Sequence, residues 1–155
     1  RLSAIFTTIK ELSEENSMPM IMPLHPRTMI ALRNRVPELY AAISDHPFMI
    51  VIPPVSFLEI ILLEKRARLI ITDSGGVQKE SHFFSRPCIV LRKETEWVEL
   101  VKNGTVKLAD ANPAKIREAW NYFIVNGSKL QYPTFYGDGK AAIVIMKEIL
   151  AVFRS

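Results

Sequence analysis

Leu2, Ile5, Phe6, Ile9 and Leu12 recur at helical spacing, so the pattern predicts an amphipathic helix over about residues 2–15, ended by Asn16-Ser17. A short apolar run bounded by prolines follows at residues 18–23 and reads as a buried strand. Residues 26–35 carry Met29, Ile30 and Leu32 and predict a short helix that Pro37 stops, while residues 39–43 are open between a further helical turn and a loop. Residues 48–52 predict a second buried strand. After Pro53-Pro54, Ser56 and Glu59 have the spacing of a capping box, opening a helix to about Lys65 whose apolar residues on most sides call for deep packing.

The second half repeats the alternation. Residues 69–72 predict a strand, and 77–84 a helix with Phe83 and Phe84 packed under the sheet. Residues 87–91 predict a strand, 97–101 a short helix closed by Asn103-Gly104, and 105–108 a last small strand. Asn112-Pro113 then supplies a cap and first helical residue for a helix with Ile116, Ala119, Trp120, Phe123 and Ile124 on one stripe. Residues 128–137 predict a loop, and Asp138 the cap of a final helix with Ala142, Ile145, Met146, Ile149 and Phe153 on one side. Strands alternating with helices over short connections call for α/β architecture: a Rossmann-like parallel sheet with helices on both faces.

Candidate chemistry concentrates at one point in that alternation. In Leu69-Ile70-Ile71-Thr72-Asp73-Ser74-Gly75-Gly76-Val77-Gln78-Lys79-Glu80 a β-branched run meets a serine, two glycines and a helical start. The first N–H groups of a helix lack intrahelical partners and lie at the positive end of its dipole, so such a turn can bind a phosphate group. Gly75 and Gly76 leave the approach open, and Ser74 can either cap the helix or donate to the anion. The same residues also suit a plain strand-to-helix turn. Glu80, one helical turn on, can accept hydrogen bonds from sugar hydroxyls or simply complement the dipole.

Three other residues are candidates because strand ends in an open α/β sheet border the ligand crevice. His25 and Arg27 follow the first strand, and Arg92 opens Arg92-Lys93-Glu94-Thr95-Glu96 after the 87–91 strand. Each has a structural alternative: a loop histidine, a surface ion pair, a solvated turn. No Walker-type lysine, no G-x-G-x-x-G, no metal-spaced Cys/His cluster and no nucleophile elbow occurs.

Composition changes this picture little. Hydrophobic residues at 48% and charged ones at 23% over 155 residues fit one domain with a real core, 1–155. The net charge of +4 is scattered, which gives no basic patch for nucleic acid. The lone Cys88 falls in an apolar strand, so it reads as a buried inert thiol, and one cysteine excludes an internal disulfide framework. No apolar run reaches the roughly 20 residues of a membrane span. The expectation is a protein of a reducing, cytoplasmic compartment, and a chain opening at Arg1 inside a helical pattern reads as part of a longer one.

Thr72-Asp73-Ser74-Gly75-Gly76-Val77-Gln78-Lys79-Glu80, Arg86-Pro87-Cys88-Ile89-Val90-Leu91-Arg92 and Glu94-Thr95-Glu96 resemble the nucleotide-binding half of bacterial UDP-N-acetylglucosamine 2-epimerases. Pro23-Leu24-His25-Pro26-Arg27-Thr28 and Tyr136-Gly137-Asp138-Gly139 continue the resemblance in the same order. It implies the C-terminal of two Rossmann-like domains in a glycosyltransferase-B-like arrangement. The serine–glycine–glycine turn would hold the UDP diphosphate and Glu80 the ribose, with His25 facing the cleft. The family inverts C2 of the sugar by eliminating and re-adding UDP, with no metal or redox cofactor, and serves cell-surface polysaccharide synthesis. Its proton-handling carboxylates belong to the N-terminal half, so the resemblance implies no catalytic residue within this chain, a UDP-sugar ligand, and a homodimer when the N-terminal domain is present.

Trp97 departs from the arginine usual at that point in the family. With Pro54-Val55-Ser56-Phe57-Leu58 it resembles the branch acting on UDP-diacetamido-uronic acids. A glycosyltransferase-B half and a non-catalytic nucleotide-sugar-binding module are the other readings.

Overall fold

The computed structural model describes residues 1–153. Its first half places α1 (Leu2–Asn16) before strand β1 (Met20–Pro23), then α2 (Pro26–Arg35), α3 (Pro37–Ser44) and β2 (Met49–Ile52). Strands β1 and β2 run parallel, Met20 opposite Met49. The prolines set two boundaries here: Pro26 opens α2, and Pro37 opens α3, so the ambiguous stretch is helical. Helix α1 presents Phe6, Ile9 and Leu12 inward as its spacing requires, and Ser17, in the left-handed region at φ 47°, ends it.

Helix α4 (Phe57–Arg66) leads into β3 (Ile70–Thr72), α5 (Gly75–Phe83), β4 (Cys88–Val90), α6 (Val98–Asn103) and β5 (Val106–Leu108). These three strands form a parallel sheet in the order β3-β4-β5, with Thr72 opposite Val90 and Val90 opposite Leu108. Alternation along β4 covers both faces of the sheet. Ile89 packs with Leu12 of α1 and with Ile116, Trp120 and Phe123 of α7 (Pro113–Asn126). Cys88 and Val90 pack on the other side with Ile70, Leu100 and Val106. Burial pushes the Cys88 thiol up to about 12, so it is inert.

The single sheet expected from the sequence is hydrogen-bonded as two, of two and three strands. Packing joins them instead. Ile5, Met20 and Ile71 each contact both the cluster around Leu12 and the cluster around Phe6, Leu32 and Ile43. Arg117 of α7 adds ion pairs to Glu11 and Glu15 of α1.

Three expectations are corrected. Helix α4 begins with the anticipated capping box, Ser56 N–H on Glu59 at 2.8 Å, but does not pack deeply: Phe57, Leu58 and Leu62 are exposed and its buried residue is Glu64. Its apolar faces exceed what the facing surface of α5 can cover. Phe83 likewise faces outward rather than under the sheet, at 55% exposure. Asp138 does not cap the last helix directly; its carboxylate accepts from Lys140 N–H at 3.1 Å, just before α8 (Ala141–Phe153) begins.

Helix α8 buries no residue among those described. Ile143, Val144, Ile145, Met146, Ile149 and Phe153 are all exposed, so its apolar stripe meets no groove here. The loop before it contains a short 3-10 turn, Gly127–Lys129.

Candidate functional site

Parallel pairing brings the glycine turn and the Arg92 loop to one edge. Strand β3 ends at Thr72 opposite Val90 of β4, and Leu91 N–H reaches back to the Thr72 carbonyl at 2.8 Å. Residues 73–74 and 91–92 therefore emerge side by side. Thr72 Oγ1 accepts from Ser74 N–H at 3.0 Å, which turns the chain out of the strand.

Ser74 is the N-cap residue of α5, yet its side chain makes no capping bond. Of the two roles open to it in the sequence, the structure leaves the hydroxyl exposed and available. Backbone bonding in α5 starts with Gln78 N–H on the Ser74 carbonyl at 3.4 Å, so the N–H groups of Gly75, Gly76 and Val77 have no intrahelical acceptor. They are the donors an anion would meet.

Neither glycine is required by backbone conformation. Positive φ occurs at Gly104, Gly137 and Gly139, not at Gly75 or Gly76. A Cβ on Gly76 would meet only Ser74 Oγ, at 3.9 Å, an ordinary contact. A Cβ on Gly75 would overlap the Glu96 carboxylate, and Arg92 Nη1 would lie 3.8 Å away. Arg92 and Glu96 pair at 3.3 Å. The helix thus gives up roughly 0.5–1 kcal/mol of propensity per glycine for an unobstructed backbone.

Residues to which the sequence reading gave no role in the turn hold it in place. Gln78 is fully buried; its amide donates to the Ser74 carbonyl at 3.2 Å and its Oε1 accepts from Thr95 Oγ1 at 2.5 Å. Thr95 in turn accepts from Trp97 N–H at 3.2 Å, and Trp97 Nε1 donates to the Gly75 carbonyl at 2.9 Å. The signal for Gln78 was its position four residues after Ser74, one turn along the same helix face. Trp97 stood out only as a departure from arginine; its bond to the turn left no local signal, because its partner is 22 residues away.

Lys79 sits over the rings of Trp97 (4.8 Å) and Tyr136 (4.4 Å), tying the loop before α8 to α5 by cation–π contact. Tyr136 donates to Glu99 at 2.7 Å, which holds the Glu99 carboxyl below its ordinary range. Burial first, then this bond, raises the Tyr136 phenol. Buried His82 donates from Nε2 to the Pro133 carbonyl (2.7 Å) and stacks on Phe135, a structural role.

Glu80 lies on α5 beside the buried Glu64 of α4, whose carboxyl has no hydrogen-bond partner among the described residues. His25 and Arg27 stand apart. His25 is the exposed N-cap of α2 and spends Nδ1 on Arg27 N–H at 3.2 Å. Arg27 is exposed, and among the described residues it makes no ion pair, and no hydrogen bond or ion pair links either residue to the glycine turn. The structure therefore assembles Ser74, Gly75, Gly76 and Arg92, adds Glu80 one turn away, and leaves His25 and Arg27 on another strand end.

Among the described residues there is no group of three or more His, Cys, Asp or Glu side chains that could hold a metal, and no helix is long and apolar enough to cross a membrane. An open depression lined by Leu62, Lys65 and Phe84 lies at the far end of α5 from the glycines.

A family model described as UDP-N-acetylglucosamine 2-epimerase matches residues 1–150. A UDP-N-acetylglucosamine 2-epimerase homolog of Methanococcus maripaludis is 39% identical over 133 residues, covering 86% of this chain and 36% of the relative. The UDP-2,3-diacetamido-2,3-dideoxy-D-glucuronate 2-epimerase of Pseudomonas aeruginosa is 39% identical over 143 residues, or 92% of this chain and 37% of the relative. Among solved structures, the Methanocaldococcus jannaschii UDP-GlcNAc 2-epimerase in complex with UDP-GlcNAc and UDP superposes with a TM-score of 0.84 at 33% identity, covering 97% of this chain and 40% of that one. The chain thus spans under half the length of these relatives.

Proposed function

The chain belongs to the UDP-N-acetylglucosamine 2-epimerase family, and we propose that it is the UDP-binding domain, 1–155, of such an enzyme. The carrying observation is the pair Gly75-Gly76: helical residues whose backbone conformation does not call for glycine, at a helix start whose first three N–H groups have no intrahelical acceptor. A diphosphate fits that geometry, its oxygens accepting from Gly75, Gly76 and Val77 with the Ser74 hydroxyl and Arg92 at the rim. Glu80 binds the ribose.

In the full reaction UDP leaves the sugar and returns to it with C2 inverted. Negative charge grows on the leaving diphosphate as the C–O bond breaks, and donors fixed in advance at a helix N-terminus stabilise that charge without reorganising. No residue here is assigned the C2 proton; that role falls to a further domain. His25 and Arg27 face that domain across a cleft, and the bare apolar stripe of α8 packs against it, as large exposed apolar surfaces usually mark contacts. The complete enzyme acts as a cytoplasmic homodimer in making cell-surface polysaccharide.

Trp97 favours a second reading of the sugar. Its indole is built into the glycine turn through the Gly75 carbonyl, and a diacetamido-glucuronate 2-epimerase is as similar as the N-acetylglucosamine relative. Calorimetric titration with UDP, UMP and ADP tests the domain reading. Preference for UDP over both, weakened by Glu80→Ala, supports it; equal binding of UDP and UMP rejects the diphosphate site.

A further inference from the structure

Glu64 interrupts the apolar run Ile60-Ile61-Leu62-Leu63 and turns its carboxyl inward, at 4% exposure. Neither of its oxygens has a donor from the rest of the protein. What it does have is Glu80, whose carboxyl meets it from α5. The Cys88 thiol of β4 also feels its charge, and among the described residues no ion pair or hydrogen bond joins Glu64 to a cation. Two neighbouring carboxylates without a cation resist ionising together, so at lower pH the pair keeps one proton. Burial disfavours charge on Glu64 more than on the half-exposed Glu80, so Glu64 is the group that holds it.

We infer that Glu64 is a positioning residue for ribose recognition: protonated, it donates to the Glu80 carboxylate and orients it, leaving the other Glu80 oxygen for the ribose hydroxyls. This rests on the ribose role proposed for Glu80. Burial, and then the Glu80 charge, push the Glu64 carboxyl up to about 7. As pH rises through that value the shared proton leaves, the two charges repel, and Glu80 turns away from the ribose.

The test is UDP affinity by calorimetry at about pH 6 and about pH 8.5, either side of that value, for the wild type, Glu64→Gln, Glu64→Leu and Glu80→Ala. The glutamine amide donates at every pH, and dividing by the Glu64→Gln values cancels titration of the diphosphate itself. The wild-type Kd should equal that of Glu64→Gln at the lower pH and be about tenfold weaker at the higher, the loss of one hydrogen bond to a charged group. Glu64→Leu, apolar and compatible with a buried site, should bind weakly and without pH dependence. A wild-type to Glu64→Gln ratio that stays flat overturns the proposal. If Glu80→Ala still weakens UDP, the failure lies in the positioning role alone; if Glu80→Ala is harmless, the ribose role has failed and takes the proposal with it.

Discussion

Gly76→Ala separates the needs of the fold from those of the site. Residue 76 is exposed, its φ is not positive, and the new methyl would meet nothing closer than Ser74 Oγ at 3.9 Å. Replacing a first-turn glycine by alanine should therefore stabilise the chain by about 0.5–1 kcal/mol. For a chain of this size that is about 1–4 °C in Tm. The same methyl stands in front of the free N–H groups of Gly76 and Val77. A donor forced beyond about 3.2 Å from a phosphate oxygen loses its hydrogen bond. One such charge-assisted bond is worth about 1.5–3 kcal/mol, so UDP should bind at least about tenfold more weakly. Circular-dichroism melting and calorimetric titration on the same preparation read both effects. Gly75→Ala is the companion: its methyl must displace the Glu96 carboxylate and break an exposed ion pair worth about 0–1 kcal/mol, so its gain in stability should be near zero while UDP binding falls. A Gly76→Ala protein that melts higher and binds UDP as before would refute the argument, because the glycine would then serve neither fold nor ligand.

Glu64→Gln should change how stability depends on pH. The folded-state value, raised from 4.5 to about 7, means that the proton on Glu64 stabilises the fold fully below about pH 4.5 and that this contribution is lost as pH rises through about 7. Relative to the wild type, the variant should gain up to about 3 kcal/mol between those limits in urea melts, less if Glu80 relaxes into solvent; parallel curves would contradict it. Ser56→Ala removes the side-chain half of the capping box, Glu59 N–H on Ser56 Oγ, and should lower the urea midpoint by the equivalent of about 1 kcal/mol. Cys88, fully buried with its thiol pushed up to about 12, should resist iodoacetamide at neutral pH until the chain unfolds; labelling of the native state would show the β4 core to be open.

What could be read from the sequence was local. Pro26 and Pro37 mark α2 and the start of α3, Ser56 with Glu59 opens α4, Gly104 closes α6 in the left-handed region, and Asn112 caps α7 onto Lys115 N–H. The glycine turn followed for the same reason, since its donors are backbone groups of consecutive residues. Where hydrophobic periodicity had to name a partner it fell short. It marked the apolar faces of α4 and α8 but could not say that Leu58 and Phe153 would remain exposed. Hydrogen bonding between β1 and β3 was likewise beyond it, because side-chain alternation is the same whether two neighbouring strands bond or only pack. The braces of the site were hidden by distance along the chain: Trp97 lies 22 residues from Gly75, and Glu64 reaches Glu80 from a different helix. Glu64 still left a trace, a charged residue inside an apolar run.

The most direct measurement of the central claim is the response of individual backbone amides to nucleotide, followed by 15N–1H NMR as UDP and then UMP are added. The account predicts that the largest UDP-dependent shifts fall on Gly75, Gly76 and Val77, and that UMP moves them much less. Shifts centred elsewhere, for instance on the depression beside Leu62 and Phe84, or equal shifts at the three amides with both nucleotides, would contradict it.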